Sequence, residues 1–147
     1  MADLTKAIAA ATSAINTEIS ALTNFAQTLE ANLKPALEII IESISETKGH
    51  VVVTGLGKSG LVGAKIAATL SSTGTPSFFL HSADALHGDS GALTPGDILI
   101  AISNSGETAE VNAIADFVWS VSKDYRPHES YSGGNAERGK ALIKQIG

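Results

Sequence analysis

The feature that most limits how this chain can fold is a run of β-branched residues, Val51, Val52 and Val53, that leads directly into the glycine-rich stretch 55–60. β-branched runs favour strands, and the stretch 61–72 that follows has a helical pattern. Strand, glycine loop and helix in this order form the first unit of an α/β fold. Glycines at such a turn let the backbone present its N–H groups to an anion.

Two more apolar strands are predicted downstream, at 76–80 and 98–102. The polar segment 82–94 between them predicts one short helix inside a loop, and 109–118 predicts a longer helix. Near-continuous apolar strands separated by helices indicate a doubly wound parallel sheet covered on both faces. If the first strand lies between the other two, the glycine loop and the segment 103–108 open into the same crevice.

N-terminal helices are predicted before this sheet. Apolar residues recur at steps of three and four through 4–33, at Ile8, Ala11, Ile15, Ile19, Leu22, Ala26 and Leu29. This stripe packs either on the chain's own core or against another subunit, and the sequence leaves both interpretations open. Pro35 suits the first turn of a second helix that runs to about Thr47, and Gly49 suits its stop.

The C-terminal segment breaks the pattern. From Trp119 the chain turns polar and irregular, no fourth strand is predicted, and 136–146 predicts a short helix. We therefore divide the chain into an N-terminal helical segment, an α/β core and a divergent tail, with the bounds 1–48, 49–118 and 119–147.

Composition excludes several classes of function. The chain has no cysteine, so it has no disulfide, thiolate nucleophile or cysteine zinc site. Its net charge is -5 with no cluster of Lys and Arg, which argues against a nucleic-acid partner. It has no apolar run of the ~18 residues that a membrane span needs, and no signal-peptide pattern. We expect a cytoplasmic protein without a membrane partner.

The glycine loop fits two nucleotide motifs only in part. A Walker A loop needs glycine where Val52 stands. Gly55, Gly57 and Gly60 satisfy the dinucleotide spacing, but the second strand ends at His81 without the acid that holds the ribose, and Asp84 is three residues late. A purely structural turn would leave Lys58 and Ser59 unexplained.

A second loop follows the third strand and repeats this architecture. It has three hydroxyl side chains and a glycine where a helix begins, in the order Ser103, Asn104, Ser105, Gly106, Glu107, Thr108. Ser105 is a natural N-cap for that helix. The same free N–H groups and hydroxyls can also hold a phosphate, and Glu110 can face the same crevice.

Four motifs together resemble the sugar isomerase (SIS) family, specifically its arabinose 5-phosphate isomerases of the KpsF/GutQ type. They are VVVTGLGKSG at 51–60, AATLSSTGTPSFF at 67–79, HGD at 87–89 and ISNSGET at 102–108. The resemblance implies a flavodoxin-like SIS fold that is incomplete on its C-terminal side. It also implies a homo-oligomer, usually a tetramer.

The resemblance implies a reaction as well: an aldose phosphate becomes a ketose phosphate through an enediol, most simply arabinose 5-phosphate to ribulose 5-phosphate. It places Lys58, Glu110 and His87 around the sugar as catalytic groups, with no cofactor required and a divalent metal at His87 as the alternative role of that residue. The phosphosugar-binding residues it implies are Gly57, Ser59, Ser103, Asn104, Ser105, Gly106 and Thr108.

This sequence departs from the family pattern after the third strand. The family domain continues with two more strands that supply a glutamate and a histidine, and 119–147 shows neither strand. A non-catalytic phosphosugar-binding module and an inactive truncated isomerase are therefore the alternatives to an active enzyme.

Overall fold

The computed structural model describes residues 3–121 and 140–145. Helices and strands alternate along most of the chain. In chain order they are α1 (Leu4–Thr47), β1 (Val51–Gly55), α2 (Gly57–Ser72), β2 (Ser77–His81), α3 (Ser82–Ala85), a 3₁₀ turn (Asp89–Ala92), β3 (Ile98–Ser103), α4 (Ala109–Val121) and β4 (Lys140–Gln145).

The sheet confirms the predicted α/β fold and strand order. Its order is β2-β1-β3-β4, so β1 lies between β2 and β3 and is parallel to both. Gly55, the last residue of β1, pairs with His81 of β2 and with Ile102 of β3. The carboxyl ends of all three parallel strands therefore lie side by side at one edge of the sheet.

The two faces of β1 are buried against different helices, because side chains alternate along a strand. Val51 and Val53 belong to a cluster that includes Ala67 of α2. Val52 points to the other face and belongs to a cluster with Ile114 and Val118 of α4. All three valines are fully buried. Helices on both faces make the sheet doubly wound, as predicted.

The N-terminal region forms one helix where the sequence predicts two. Pro35 lies inside α1, although it has no N–H to donate to the carbonyl of residue 31. Because Pro35 removes a single hydrogen bond, the helical pattern on either side outweighs it. The chain divides into two compact units, Met1–Ala31 and Asn32–Gly147. In the first unit the large apolar side chains of the stripe are exposed, among them Ile8, Ile15, Ile19 and Leu22.

Gly49 does not end α1 as predicted. Lys48 takes the left-handed conformation after the helix, with φ of 55°. Gly49 is needed for space instead, because a Cβ there would lie 1.9 Å from the carbonyl oxygen of Gly96. The backbone before β1 therefore lies directly against the turn before β3.

The C-terminal prediction is wrong in two respects. The structure has a fourth strand, and it occupies Lys140–Gln145, within the segment 136–146 that was predicted to be a short helix. β4 pairs antiparallel with β3, with Ala101 opposite Leu142. A short apolar run does not by itself distinguish helix from strand, and the open edge of β3 offers the hydrogen bonds that decide the outcome. Residues 122–139, most of the predicted tail, lie outside the described residues.

Candidate phosphosugar site

The two predicted loops meet at the carboxyl ends of β1 and β3. A Cβ on Gly55 would lie 3.1 Å from the carbonyl oxygen of Ile102, the residue before Ser103. It would lie equally close to the backbone nitrogen of Gly60. The absence of a side chain at Gly55 therefore lets the start of α2 and the end of β3 approach each other, which places both loops in one crevice.

The glycine loop is shorter than predicted, because α2 begins at Gly57 and not at residue 61. Gly57 has φ of 56°, a left-handed conformation that glycine adopts without strain. Lys58 and Ser59 consequently lie in the first turn of α2. Lys58 is exposed and Ser59 is half-buried. The free N–H groups at the start of α2 lie at the carboxyl end of β1.

Hydrogen bonds within the second loop fix its shape. The Gly106 N–H donates to Ser103 Oγ at 3.0 Å, and Ser103 Oγ lies 2.9 Å from Thr108 Oγ1. The Glu107 N–H donates to Ser105 Oγ at 3.1 Å. Ser103 is 6% exposed. Its buried hydroxyl therefore organises the loop, and the loop holds its shape without a ligand.

Other groups of this loop are available to a ligand. Asn104 is exposed, and its side chain has no hydrogen bond to any described residue. α4 begins at Ala109, so the N–H groups of its first turn have no partners within the helix. Glu110 lies in that turn, half-buried and without a hydrogen bond or ion pair to the described part of the chain. A helix N-terminus beside a rigid hydroxyl loop suits a phosphate.

His87 lies on the segment that crosses from β2 to β3. This segment forms α3 and a separate 3₁₀ turn, where the sequence predicts one short helix. His87 follows α3, is exposed, and donates its N–H to the Asp84 carbonyl at 2.9 Å. α3 packs against α4, the helix that carries Glu110. The structure records no hydrogen bond or ion pair among Lys58, His87 and Glu110.

A metal site at His87 is not prebuilt by its described neighbours. Within residues 3–121 and 140–145, no three His, Asp or Glu side chains gather closely enough to hold a metal ion. His87 would contribute one ligand of such a site, and the donors among the described residues around it do not fit a resident metal.

Three buried polar atoms near β1 and β2 escaped the sequence analysis. Thr54 Oγ1, His81 Nδ1 and Ser82 Oγ have no hydrogen-bond partner among the described residues. Thr54 lies one residue before the end of β1, and His81 and Ser82 follow the corresponding point of β2. The signal in the sequence was the spacing of His81 and Asp84, three residues apart after a strand, which we considered only as an incomplete dinucleotide motif.

The opposite end of the sheet holds a fully satisfied carboxylate. Asp97, completely buried, accepts hydrogen bonds from the N–H groups of His50 at 2.7 Å and Thr94 at 2.8 Å. The Thr94 hydroxyl donates at 3.1 Å, and His50 Nδ1 lies 3.0 Å away. Burial alone would raise the pKa of Asp97, but these hydrogen bonds outweigh it and hold the pKa below its usual value.

Known proteins are similar to this chain in sequence. The SIS domain family matches residues 43–121. The arabinose 5-phosphate isomerase KdsD of Francisella tularensis is 46% identical over 101 residues, which cover 69% of this chain and 31% of that protein. KpsF of Escherichia coli O6:H1, another arabinose 5-phosphate isomerase, is 52% identical over 92 residues, covering 63% and 27%. The chain thus spans less than a third of the length of these relatives.

Two solved structures are also similar to this chain in fold and sequence. An Escherichia coli CFT073 protein in complex with arabinose 5-phosphate has a TM-score of 0.56 and 39% identity, and the match covers 74% of this chain and 60% of that one. A putative phosphosugar isomerase involved in capsule formation from Bacteroides fragilis has a TM-score of 0.54 and 38% identity, covering 70% and 56%.

The family match includes both loops and the helices that follow them, since 43–121 extends from the end of α1 to the end of α4. None of the helices in the described ranges has the combined length and apolarity of a bilayer span. The matched segment is more than half of the chain, and it contains both loops described above. The chain belongs to the SIS domain family.

Proposed function

We propose that this chain is the sugar-phosphate isomerase domain of an arabinose 5-phosphate isomerase, and that it interconverts arabinose 5-phosphate and ribulose 5-phosphate. The observation that carries the proposal is that two helix starts, Gly57 and Ala109, lie at the ends of the neighbouring strands β1 and β3, because a helix start suits an anion. The similarity to KdsD and KpsF, and to a structure in complex with arabinose 5-phosphate, supports the same substrate class.

The phosphate would bind at the loop 103–108. Ser103, Thr108 and Gly106 already hold this loop in place through hydrogen bonds. Asn104, Ser105 and the first-turn N–H groups of α4 are then free to donate to phosphate oxygens. Gly57 and Ser59 belong to the other helix start and would contact the ligand from β1. A charge-assisted hydrogen bond at such a site needs no net positive protein charge.

The chemical step needs a base and a group that stabilises negative charge. In the forward direction the C2–H bond of the aldose breaks, its electron pair forms the C1–C2 double bond, and the C1 oxygen takes up a proton. The enediol then takes a proton at C1 and loses one from the C2 oxygen, so atoms balance without a redox partner. Glu110 would move the carbon-bound proton.

Two further side chains would support that proton transfer. Lys58, exposed in the first turn of α2 and without an ion pair among the described residues, would stabilise the developing oxyanion. His87 would polarise a sugar oxygen. We propose no required cofactor, and no step passes through a metal at His87.

Assembly and location are part of this proposal. The exposed apolar residues of α1, such as Ile8, Ile15 and Ile19, support a homo-oligomer, for which the family resemblance suggests a tetramer. We propose a cytoplasmic protein that acts on a small phosphosugar without nucleic acid or membrane. Light scattering on the purified chain measures the subunit number, and a monomer would contradict the proposed assembly.

The test is turnover by the purified chain. Ribulose 5-phosphate should appear from arabinose 5-phosphate, and Lys58→Ala should abolish it. Lys65→Ala is the matched control, because Lys65 is exposed on the same helix two turns away from the crevice. A ligand-induced rise in Tm without product would indicate a non-catalytic binding module. Neither product nor a shift in Tm would overturn the proposed function.

A further inference from the structure

The carboxyl end of β2 carries a histidine, His81, whose ring nitrogens form no hydrogen bond with the described residues. His81 is the last residue of β2 and pairs in register with Gly55, the residue that opens the glycine loop. Its side chain is 38% exposed, yet its Nδ1 is buried. The exposed surface therefore belongs to the other atoms of the side chain, which include Nε2. Nε2 has no hydrogen-bond partner among the described residues.

The ring is held from two sides. His81 Nδ1 lies 3.6 Å from Asp84 Oδ2, slightly beyond hydrogen-bond distance. On the other side the edge of the ring contacts Phe79, with 6.3 Å between the ring centroids and 70° between the planes. Asp84 is the acceptor that faces a proton on Nδ1. A small rotation completes that bond and leaves Nε2 as an acceptor for an external hydroxyl.

Unpartnered polar atoms cluster at this same end. Thr54 and Ser82 are fully buried, and their hydroxyls lack partners in the described part of the chain. Buried polar groups are nearly always hydrogen-bonded in native proteins. At the opposite end of the sheet, by contrast, the Asp97 carboxylate accepts hydrogen bonds from His50 and Thr94. At the carboxyl end of β1 and β2, the described residues thus leave hydrogen-bonding groups unpaired.

The positions of three polar groups across the sheet indicate what kind of ligand could hydrogen-bond to His81. The proposed phosphate loop follows β3, Lys58 follows β1, and His81 ends β2, so the three groups lie in a row across adjacent strands. Two strand spacings are roughly 10 Å, which matches the scale of an extended pentose phosphate. A ligand anchored by its phosphate at β3 would extend its hydroxyls toward β2.

We infer that His81 is a further substrate-binding residue, whose Nε2 accepts a hydrogen bond from a sugar hydroxyl, and that Asp84 is its positioning residue. This inference rests on the proposed function and deepens it. It assigns to β2 the part of the ligand that distinguishes a sugar phosphate from inorganic phosphate. Inorganic phosphate would occupy only the loop 103–108.

Calorimetry with arabinose 5-phosphate and with inorganic phosphate tests the assignment. His81→Ala should weaken arabinose 5-phosphate binding about tenfold, the effect of one lost hydrogen bond, and should leave inorganic phosphate binding unchanged. Where turnover occurs, KM should rise while kcat changes less. His81→Gln should recover most of the affinity, because its amide oxygen can reach the place of Nε2 and accept the same hydrogen bond, whereas the shorter His81→Asn should not.

A second histidine provides the matched control. His50 also has an aspartate partner, Asp97, but at the opposite end of the sheet. His50→Gln should leave both affinities unchanged. Asp84→Ala should weaken arabinose 5-phosphate binding two- to threefold in the parent chain and not at all in the His81→Ala background, as expected for a residue that acts through His81.

The outcomes separate this inference from the proposed function. If the parent chain binds both ligands and His81→Ala binds arabinose 5-phosphate equally well, the role of His81 is overturned and the proposed function stands. Equal losses for sugar phosphate and inorganic phosphate would also overturn it, because they indicate general damage to the site. If the parent chain binds neither ligand, both proposals fail.

Discussion

The polar side chains at the two ends of the parallel strands differ in burial and in the number of hydrogen bonds they form with described residues. At the amino end, Asp97 is fully buried and His50 and Thr94 meet its oxygens with four close contacts. At the carboxyl end, Lys58 and Asn104 are exposed and have no partners among the described residues. The first arrangement stabilises the chain, whereas the second is available to a ligand. This difference supports the proposed position of the site at the carboxyl end.

The comparison also separates stability from function. Groups whose hydrogen bonds are formed within the protein contribute to the free energy of unfolding, so their removal should lower it. Groups whose hydrogen bonds would be completed by a ligand contribute to binding and turnover, so their removal should leave the free energy of unfolding nearly unchanged. Substitutions at the two ends should therefore have effects on different measurements.

The largest expected effect is on turnover, at the carboxyl end. Glu110→Gln keeps the size of the side chain but removes the proposed base, so kcat should fall by roughly 10²- to 10⁴-fold. Because Glu110 has no described partner to lose, the Tm should stay within about 2 °C of the parent. Coupled-enzyme detection of ribulose 5-phosphate and a thermal melt measure both quantities. Full turnover in this variant would contradict the assigned base, and a large fall in Tm would contradict the division between the ends.

The next effect is on stability, at the amino end. Asp97→Ala leaves the N–H groups of His50 and Thr94 without their acceptor, and we expect a loss of about 3–5 kcal/mol in the free energy of unfolding. Urea denaturation measures the loss, with Asp89→Ala as a control at an exposed aspartate. Arabinose 5-phosphate affinity of the folded variant should be unchanged. A variant with parental stability would show that the buried carboxylate does not support the fold.

The sequence predicts structure that depends on nearby residues better than contacts between residues far apart in the chain, and the two ends of the sheet differ in this respect. The meeting of the two loops at the carboxyl end was predicted for one strand order, with the first strand between the other two, and the sheet has that order. Asp97 was not singled out, since its partner His50 is 47 residues away and no local pattern pairs them. β4 was missed for the same reason: the edge that recruits it belongs to β3, far along the chain.

The predictions for two single residues, Gly49 and Pro35, were wrong because each acts differently from its usual preference. The sequence predicts a helix stop at Gly49, and only the close approach of Gly96 reveals that this glycine provides space. Pro35 predicts a helix start, yet α1 continues through it because the flanking residues favour the helix on both sides. In both cases a tertiary contact or a neighbouring segment outweighs the preference of the single residue.

A third, smaller effect is the pH dependence of stability. The pKa of Asp97 is lowered in the folded chain, relative to about 3.9 when unfolded. Its stabilisation is therefore complete above that value and is lost as pH falls through the lower, folded pKa. The difference in unfolding free energy between the parent and Asp97→Asn should be constant from pH 7 to about 5 and shrink below about 4. Urea titrations at each pH measure it, and a difference independent of pH would mean that the folded pKa is not lowered.

The smallest effect is a gain, just before the amino end of β1. Lys48 has φ of 55°, and a side chain in this left-handed conformation costs about 1–2 kcal/mol. Lys48→Gly removes that strain but adds flexibility to the unfolded chain, so the net gain should be about 0.5–1 kcal/mol. Lys48→Ala is the control, because it removes the charge and keeps the strain; it should give no gain. If Lys48→Ala stabilises as much as Lys48→Gly, the lysine charge and not the backbone is responsible. In either case the affinity for arabinose 5-phosphate should not change, since residue 48 lies at the end of the sheet opposite the crevice.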